Sequence, residues 1–130
     1  MPEAPETDAL RAALRFNDSI NERDLDGLAA LMTDDHTFID SVSQSWTGRD
    51  VCLENWRAFF DAFPDYRNVL EAISVQGDVV TVVGHSRCSD ERLDGPAIWT
   101  ARITDGRVAE WRVYEDTPTT RHVLGIPIGS

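Results

Sequence analysis

The chain has 130 residues, a net charge of −11 and 42% hydrophobic residues, which is most simply one domain with a real core. Its acidity argues against nucleic acid or an anionic membrane as partner, since both demand basic surface. No apolar run approaches membrane-spanning length, and the acidic start, MPEAPETDAL, does not read as a signal peptide. Cys52 and Cys88 have no motif spacing and read as free thiols in a reducing compartment, so the expected location is the cytoplasm.

Residues 1–7 are rich in Pro and Glu and are expected to be disordered. A helical pattern begins near Asp8, with Leu10, Ala13, Leu14 and Asn17 on one stripe and Phe16 with Ile20 flanking it. NERD interrupts this helix. A short second helix follows through Leu25, Leu28, Ala29 and Met32, with Asp24 as N-cap. The first strand is expected from about His36 to Ser43, and SWTGRD reads as a turn. A third helix carries Val51, Cys52, Asn55, Trp56, Phe59, Phe60 and Phe63 at helical spacing until Pro64 stops it. Its aromatic run reads as core rather than as a platform for bases.

Strands are then expected over Tyr66–Val75 and Val79–Cys88, separated by QGD. Ala97–Ile103 and Val108–Tyr114 form a hairpin across TDGR, an Asp-Gly turn signal. The tail TPTTRHVLGIPIGS is partly apolar and packs either on the body or on a second subunit. Helices that precede a meander of strands imply an α+β domain with the helices on one face of the sheet.

Phosphate-cradling Gly-rich loops, GxSxG and HExxH are absent, and the histidines His36, His85 and His122 are scattered. No metal or cofactor is expected, which leaves acid–base chemistry as the simplest enzymatic reading. Within LMTDDHTFIDSV, Asp40 alternates with the apolar Phe38 and Val42. If that face points inward, a carboxylate enters an apolar interior, which is how proton-transfer bases are built. The opposite face, Thr37, Ile39 and Ser41, is the alternative buried one, and alternation alone leaves both open.

The two N-terminal helices, the DDxTxxD junction, the GRD-led helix and the DGR hairpin together resemble the nuclear transport factor 2-like superfamily. The resemblance is to its SnoaL-like and ketosteroid-isomerase-like branch and covers roughly residues 8–116. It implies a cone-shaped α+β barrel with N-terminal helices packed on a curved antiparallel sheet. TDDHTFIDSV resembles the isomerase segment that carries the general base, and Asp40 falls on the base itself, which favours the inward facing. The isomerase pairs such a base with a separate oxyanion hole. Both of its donors have changed here. Phe16 stands at the place of a helix tyrosine, and Trp99 at the place of a protonated aspartic acid. Steroid isomerisation by the same mechanism is therefore not expected. Limonene-epoxide-hydrolase-like relatives use an Asp-Arg-Asp set, and no such set occurs at comparable spacing.

Strand alternation and the resemblance together assign a cavity lining. Thr81, Val83, His85 and Arg87 share one expected inward face, Ala97, Trp99 and Ala101 another, and Trp111, Val113 and Glu115 a third. Phe16, Asn55, Trp56 and Phe60 are added from the helices. The expected catalytic group is Asp40 as base with His85 as its partner, and Glu115 as a third candidate. The substrate-binding set is Phe16, Asn55, Trp56, Phe60, Val83, Arg87, Trp99 and Trp111. The expected activity is isomerisation, cyclisation or dehydration of a small apolar carbonyl or polyketide-like compound. The alternative is a non-catalytic module that binds a small ligand or a protein. The outer sheet face is expected to form a homodimer.

Overall fold

The structure, a computed structural model, describes residues 5–126, with side chains from Asp8 onward. The expected disorder over residues 1–7 concerns a stretch whose residues 1–4 lie outside the described residues. Helix α1 (Pro5–Glu22) and helix α2 (Leu25–Leu31) come first. Strand β1 (Met32–Ile39), strand β2 (Ser45–Thr47) and helix α3 (Arg49–Ala62) follow. Then come β3 (Arg67–Gln76), β4 (Val79–Arg87), β5 (Gly95–Thr104), β6 (Arg107–Glu115) and helix α4 (Pro118–Leu124).

The six strands form one sheet in the order β2-β1-β6-β5-β4-β3, which leaves β2 and β3 as free edges. The α+β class with helices packed on a sheet is as expected, but the sheet is mixed: β1 runs parallel to β6, with Phe38 opposite Trp111. The connectivity allows a parallel pair, because the chain passes through β2, α3 and three further strands before β6 closes beside β1. Among the described residues no helix is long and apolar enough to cross a membrane.

Local chemistry accounts for the boundaries. Asp24 caps α2, its carboxylate accepting from the Gly27 N–H at 2.9 Å. Asp105 and Gly106 both take positive φ, 50° and 76°, which is the twist-matched two-residue turn that TDGR announces. β1 starts four residues earlier than its alternation indicates. SWTGRD is not simply a turn: Ser45, Trp46 and Thr47 pair antiparallel with Ile39, Phe38 and Thr37. Three residues are too few to display a period of two, so this strand is invisible as a pattern. α4 lies within the segment read as a packed tail, where Thr117 caps it, Pro118 opens it and left-handed Gly125 ends it.

The core lies between the helices and the inward face of the sheet. α1 contributes Ala9, Ala12, Ala13, Phe16 and Ile20, while Leu14 of the expected stripe is exposed. α3 contributes Cys52, Trp56 and Phe60, one per turn. Trp99 and Trp111 are the largest fully buried side chains on the sheet. Phe16 stacks on Trp111 at 4.8 Å and on His36 at 5.5 Å between ring centroids. His36 is wholly buried and its Nδ1–H donates to the Val108 carbonyl at 2.6 Å, tying β1 to β6. Burial pushes its pKa below the ordinary 6.5, against the opposing pull of that carbonyl and of Asp35.

On β4 the buried residues are Val80, Val82, Gly84 and Ser86. The expected inward face of Thr81, Val83, His85 and Arg87 is therefore the outer one. Valines occupy both faces of this strand, so alternation carries no direction. The phase is set across the sheet, where Val82 pairs with Trp99 and Gly84 with Ala97. Gly84 has a further constraint, since a Cβ there would lie 2.1 Å from the Val69 carbonyl oxygen. That contact sits beside a bulge in β3, where the register slips between Leu70 and Ala72.

Two outcomes follow. Gly84→Ala forces backbone apart and is expected to destabilise the fold by about 1–3 kcal/mol, measured by chemical denaturation. His36 stays neutral in the native state at a pH where the unfolded chain takes up a proton. Stability is therefore full above about pH 6.5 and falls as pH drops from there toward the lowered native value, by at most about 1.4 kcal/mol per pH unit. Melting curves between pH 7.5 and 5 should show that slope in the wild type and a flatter one in His36→Gln.

Candidate functional site

A cavity of about 350 Å³ opens between α3 and the inward face of the sheet. Its walls are largely aromatic. Phe38 packs on Trp46 at 5.9 Å and edge-on to Trp56 at 5.5 Å, and Phe59 meets Tyr66 edge-on at 4.8 Å. Trp99 and Trp111 close the sheet side, with Val113 and Leu93 beside them. The polar contributions are Asp40, Ser41, Asn55, Tyr66 and Asn68. Asp40 is half-buried and Ser41 exposed, so the carboxylate stands where the cavity reaches solvent. A space of this size with few polar groups suits a small organic ligand.

Asp40 is held by its own turn. Its Oδ1 accepts from the N–H groups of Val42 at 3.0 Å and Gln44 at 2.9 Å, and its backbone pairs with Gln44 and Ser43. This loop carries the chain from β1 into β2. The expected inward facing holds for Phe38 and Asp40, both of which line the cavity. It fails at Val42, which is 70% exposed because the turn has begun by then.

Tyr66 and Asn68 are site residues that the sequence pattern does not mark. Both are buried at the start of β3 and belong to one hydrogen-bonded chain. The Tyr66 hydroxyl shares a 3.0 Å bond with Ser86 Oγ, and Ser86 donates to Asn68 Oδ1 at 3.4 Å. Asn68 Nδ2 donates to Asn17 Oδ1 at 3.1 Å. Burial pushes the Tyr66 phenol above its ordinary pKa, and the Ser86 hydrogen bond pulls the other way. A tyrosine two residues after a proline, at a strand start, is the one local signal that sequence offered for this wall.

Asn55, Trp56, Trp99 and Trp111 line the cavity as expected. Phe16 and Phe60 lie in the core and not in the cavity wall. Val83 and Arg87 are on the outer face of β4, for the reason given above. His85 is there too, exposed and bonded through Nδ1 to Glu71, the residue that the β3 bulge sets out of register. The expected pairing of Asp40 with His85 is thus not formed, because the two side chains lie on opposite faces of the sheet. Glu115 is exposed at the end of β6 and does not line the cavity.

The chain contains no lysine, its 12 basic residues all being arginine, and no arginine lines the cavity. Schiff-base chemistry from a side-chain amine is therefore unavailable. The lining has one carboxylate and no cation to pair with it. Among the described residues no group of three His, Cys, Asp or Glu side chains is placed to hold a metal ion. Cys52 and Cys88 are free thiols, the first buried in the wall, where burial pushes its pKa up.

The architecture recurs in solved structures at low sequence identity. A protein from Jannaschia sp. CCS1 proposed to be a SnoaL-like polyketide cyclase superposes with a TM-score of 0.75 at 21% identity, over 98% of this chain and 99% of that one. An LEH-like epoxide hydrolase from M. tuberculosis gives 0.76 at 22%, over 88% and 83%. A proposed ketosteroid isomerase from Kribbella flavida DSM 17836 gives 0.71 at 20%, over 96% and 93%. These likenesses show the nuclear transport factor 2-like fold. No curated protein matches the sequence. The SnoaL-like domain model matches residues 13–111, a span that includes Phe16 and Ile20 of α1, Asp40, α3 and the tryptophans of β5 and β6, and the chain belongs to the SnoaL-like domain family.

Proposed function

We propose that the protein is a cofactor-independent acid–base enzyme acting on a small, neutral, largely apolar carbonyl compound, with Asp40 as the base. The observation that carries this reading is the position of Asp40. It is a carboxylate held by two backbone N–H groups at the edge of an aromatic cavity that contains no other charge. Oδ1 is occupied by the turn, which fixes the group's orientation and leaves the other oxygen to take a proton. Removal of a proton next to a carbonyl leads to isomerisation, cyclisation or dehydration, reactions within reach of one positioned carboxylate. Asn55, Trp56, Trp99 and Trp111 form the walls that hold the substrate in this proposal.

A second reading is a ligand-binding module without chemistry. The same two hydrogen bonds favour it, because an aspartate that merely builds the turn would look alike. Homodimerisation through the outer sheet face is a further part of the proposal. It is supported by the apolar side chains Ala72, Val83 and Tyr114 on that face, none of them fully buried, around the buried Ile98. The free thiols support a cytoplasmic location.

Asp40→Asn separates the two readings, since the amide oxygen can keep both turn hydrogen bonds while the proton acceptor is lost. Exchange of the α-hydrogens of 2-tetralone for solvent deuterium, followed by NMR, reports proton abstraction directly. Asp40→Asn should slow the protein-catalysed exchange about 100-fold or more while its melting temperature stays close to wild type. Unchanged exchange in the variant sinks the base assignment. The dimer is tested by sedimentation, where Val83→Glu should convert a dimer mass to a monomer mass.

A further inference from the structure

Abstraction of a proton beside a carbonyl leaves negative charge on the carbonyl oxygen, and that charge needs a partner. No arginine lines the cavity and the chain has no lysine, so the partner must be a neutral donor. Phe16 and Trp99 replace the two donors expected by resemblance, and Phe16 is sealed in the core. Asn55 Nδ2 and Trp111 Nε1 belong to lining residues, but each is closed off from the cavity surface and has no partner. Neither presents its hydrogen to a ligand. Asn68 Nδ2 spends one of its two hydrogens on Asn17, and an amide N–H is a weaker acid than a phenol. Tyr66 remains. It lines the cavity, carries an ionisable hydroxyl and ends a chain of hydroxyl and amide groups that can rearrange.

On the acid–base reading of Asp40, we infer that Tyr66 is the oxyanion donor of this site and that Ser86 is its positioning residue. The rearrangement conserves protons. In the free protein Ser86 points its one hydrogen at Asn68 Oδ1 over 3.4 Å, so Tyr66 must donate to Ser86 across their 3.0 Å bond. When an enolate forms, Asp40 holds the proton taken from carbon and the new C=C electron pair has displaced charge onto oxygen. The Tyr66 hydrogen turns to that oxygen. Ser86 then rotates its hydrogen from Asn68 to the Tyr66 oxygen, giving up the longest bond of the chain. Collapse of the enolate returns the proton from Asp40 to a carbon, and both hydroxyls turn back.

The geometry also explains why base and donor do not neutralise each other. Asp40 follows β1 and Tyr66 precedes β3, four strand spacings apart in the sheet order, about 19 Å if the sheet were flat. The curl of the sheet and α3 bring both to one cavity with the ligand space between them.

The test uses 2-naphthol, whose anion mimics the enolate of 2-tetralone, with binding followed by fluorescence. Tyr66→Phe should weaken naphtholate binding about 10-fold or more and Ser86→Ala by a smaller factor, whereas Asp40→Asn should strengthen it, because it removes the like charge from the cavity. The chain has only two tyrosines, so in a Tyr114→Phe background the ultraviolet titration reports Tyr66 alone. Ser86→Ala should move that titration upward, which a purely structural serine would not do. Circular dichroism confirms that each variant is folded. Naphtholate binding that is equal with and without Tyr66→Phe overturns the inference, as does failure of Asp40→Asn, whose neutral side chain matches the protonated base of the reaction, to bind it at millimolar concentration. Loss of exchange in Asp40→Asn with no effect of Tyr66→Phe on either measurement would leave the base standing and remove the donor. The converse result would leave Tyr66 as an anion-binding group without a base.

Discussion

The end of α1 holds the 63–68 segment in place, and the wall of the cavity depends on that hold. The Asn21 amide meets the backbone of Asn68 twice, donating to its carbonyl at 2.9 Å and accepting from its N–H at 2.8 Å. Both groups of one strand residue point to the same side, so Asn21 occupies the free edge of β3 as a neighbouring strand would. Arg23 then gathers the carbonyls of Pro64 at 2.6 Å and Tyr66 at 2.5 Å, and reaches Phe63 at 3.5 Å. A charged donor to a carbonyl contributes about 1.5–3 kcal/mol, and left unpaired the same oxygens would be costly to bury. With the backbone fixed this way, Tyr66 and Asn68 have little freedom to leave the cavity wall.

The other device that shapes the site is the contact of Gly84 with the Val69 carbonyl. Only a residue without Cβ admits the approach. The bulge beside it places Glu71 out of register, where it bonds to His85 on the outer face. Past the bulge, Asn68 pairs with Ser86, both are buried on the inward face, and Ser86 links Asn68 to the Tyr66 hydroxyl. One irregularity thus sends an acid and an imidazole outward while an amide and a hydroxyl turn inward. A one-residue slip in β4 would exchange these sets and put His85 in the interior.

That phase is the point at which sequence stopped being informative. The helices, the hairpin at Asp105–Gly106 and the aromatic face of α3 follow from local rules that tertiary structure does not override. Asp24, Pro64 and Gly106 each act within one turn of their own position. The facing of β4 is a property of the sheet, because Val79, Val80, Val82 and Val83 satisfy either side equally. That ambiguity lets alternation place His85 inward, and a serine in a strand, as at Ser86, carries no signal alone. Asp40 was legible because resemblance supplied the facing that its own alternation with Phe38 and Val42 left open. Tyr66 was not, since its importance lies in contacts with Ser86 and Phe59, distant in sequence or on another element. β2 and α4 were missed for opposite reasons. The first is too short to have a pattern, while the second has cap, proline and terminal glycine in plain order but only about two helical turns between them to confirm it.

The charge arrangement restricts what can enter. The protein carries a net charge of −11, and the cavity adds one carboxylate near its opening with no arginine or lysine to offset it. An anionic ligand, whether carboxylate or phosphate ester, would approach against the field of the whole molecule and give up its hydration in an aromatic space without a cation. A neutral ligand meets no such barrier, and its apolar surface gains by displacing water from the walls. Charge would then appear in the cavity only during reaction. Transfer of a proton from carbon to Asp40 neutralises the carboxylate as the ligand oxygen becomes negative, so the total remains a single negative charge throughout. Only its location changes, from the edge of the cavity toward its inner wall, and a wall of neutral dipoles suffices to accept a charge that is moved rather than created.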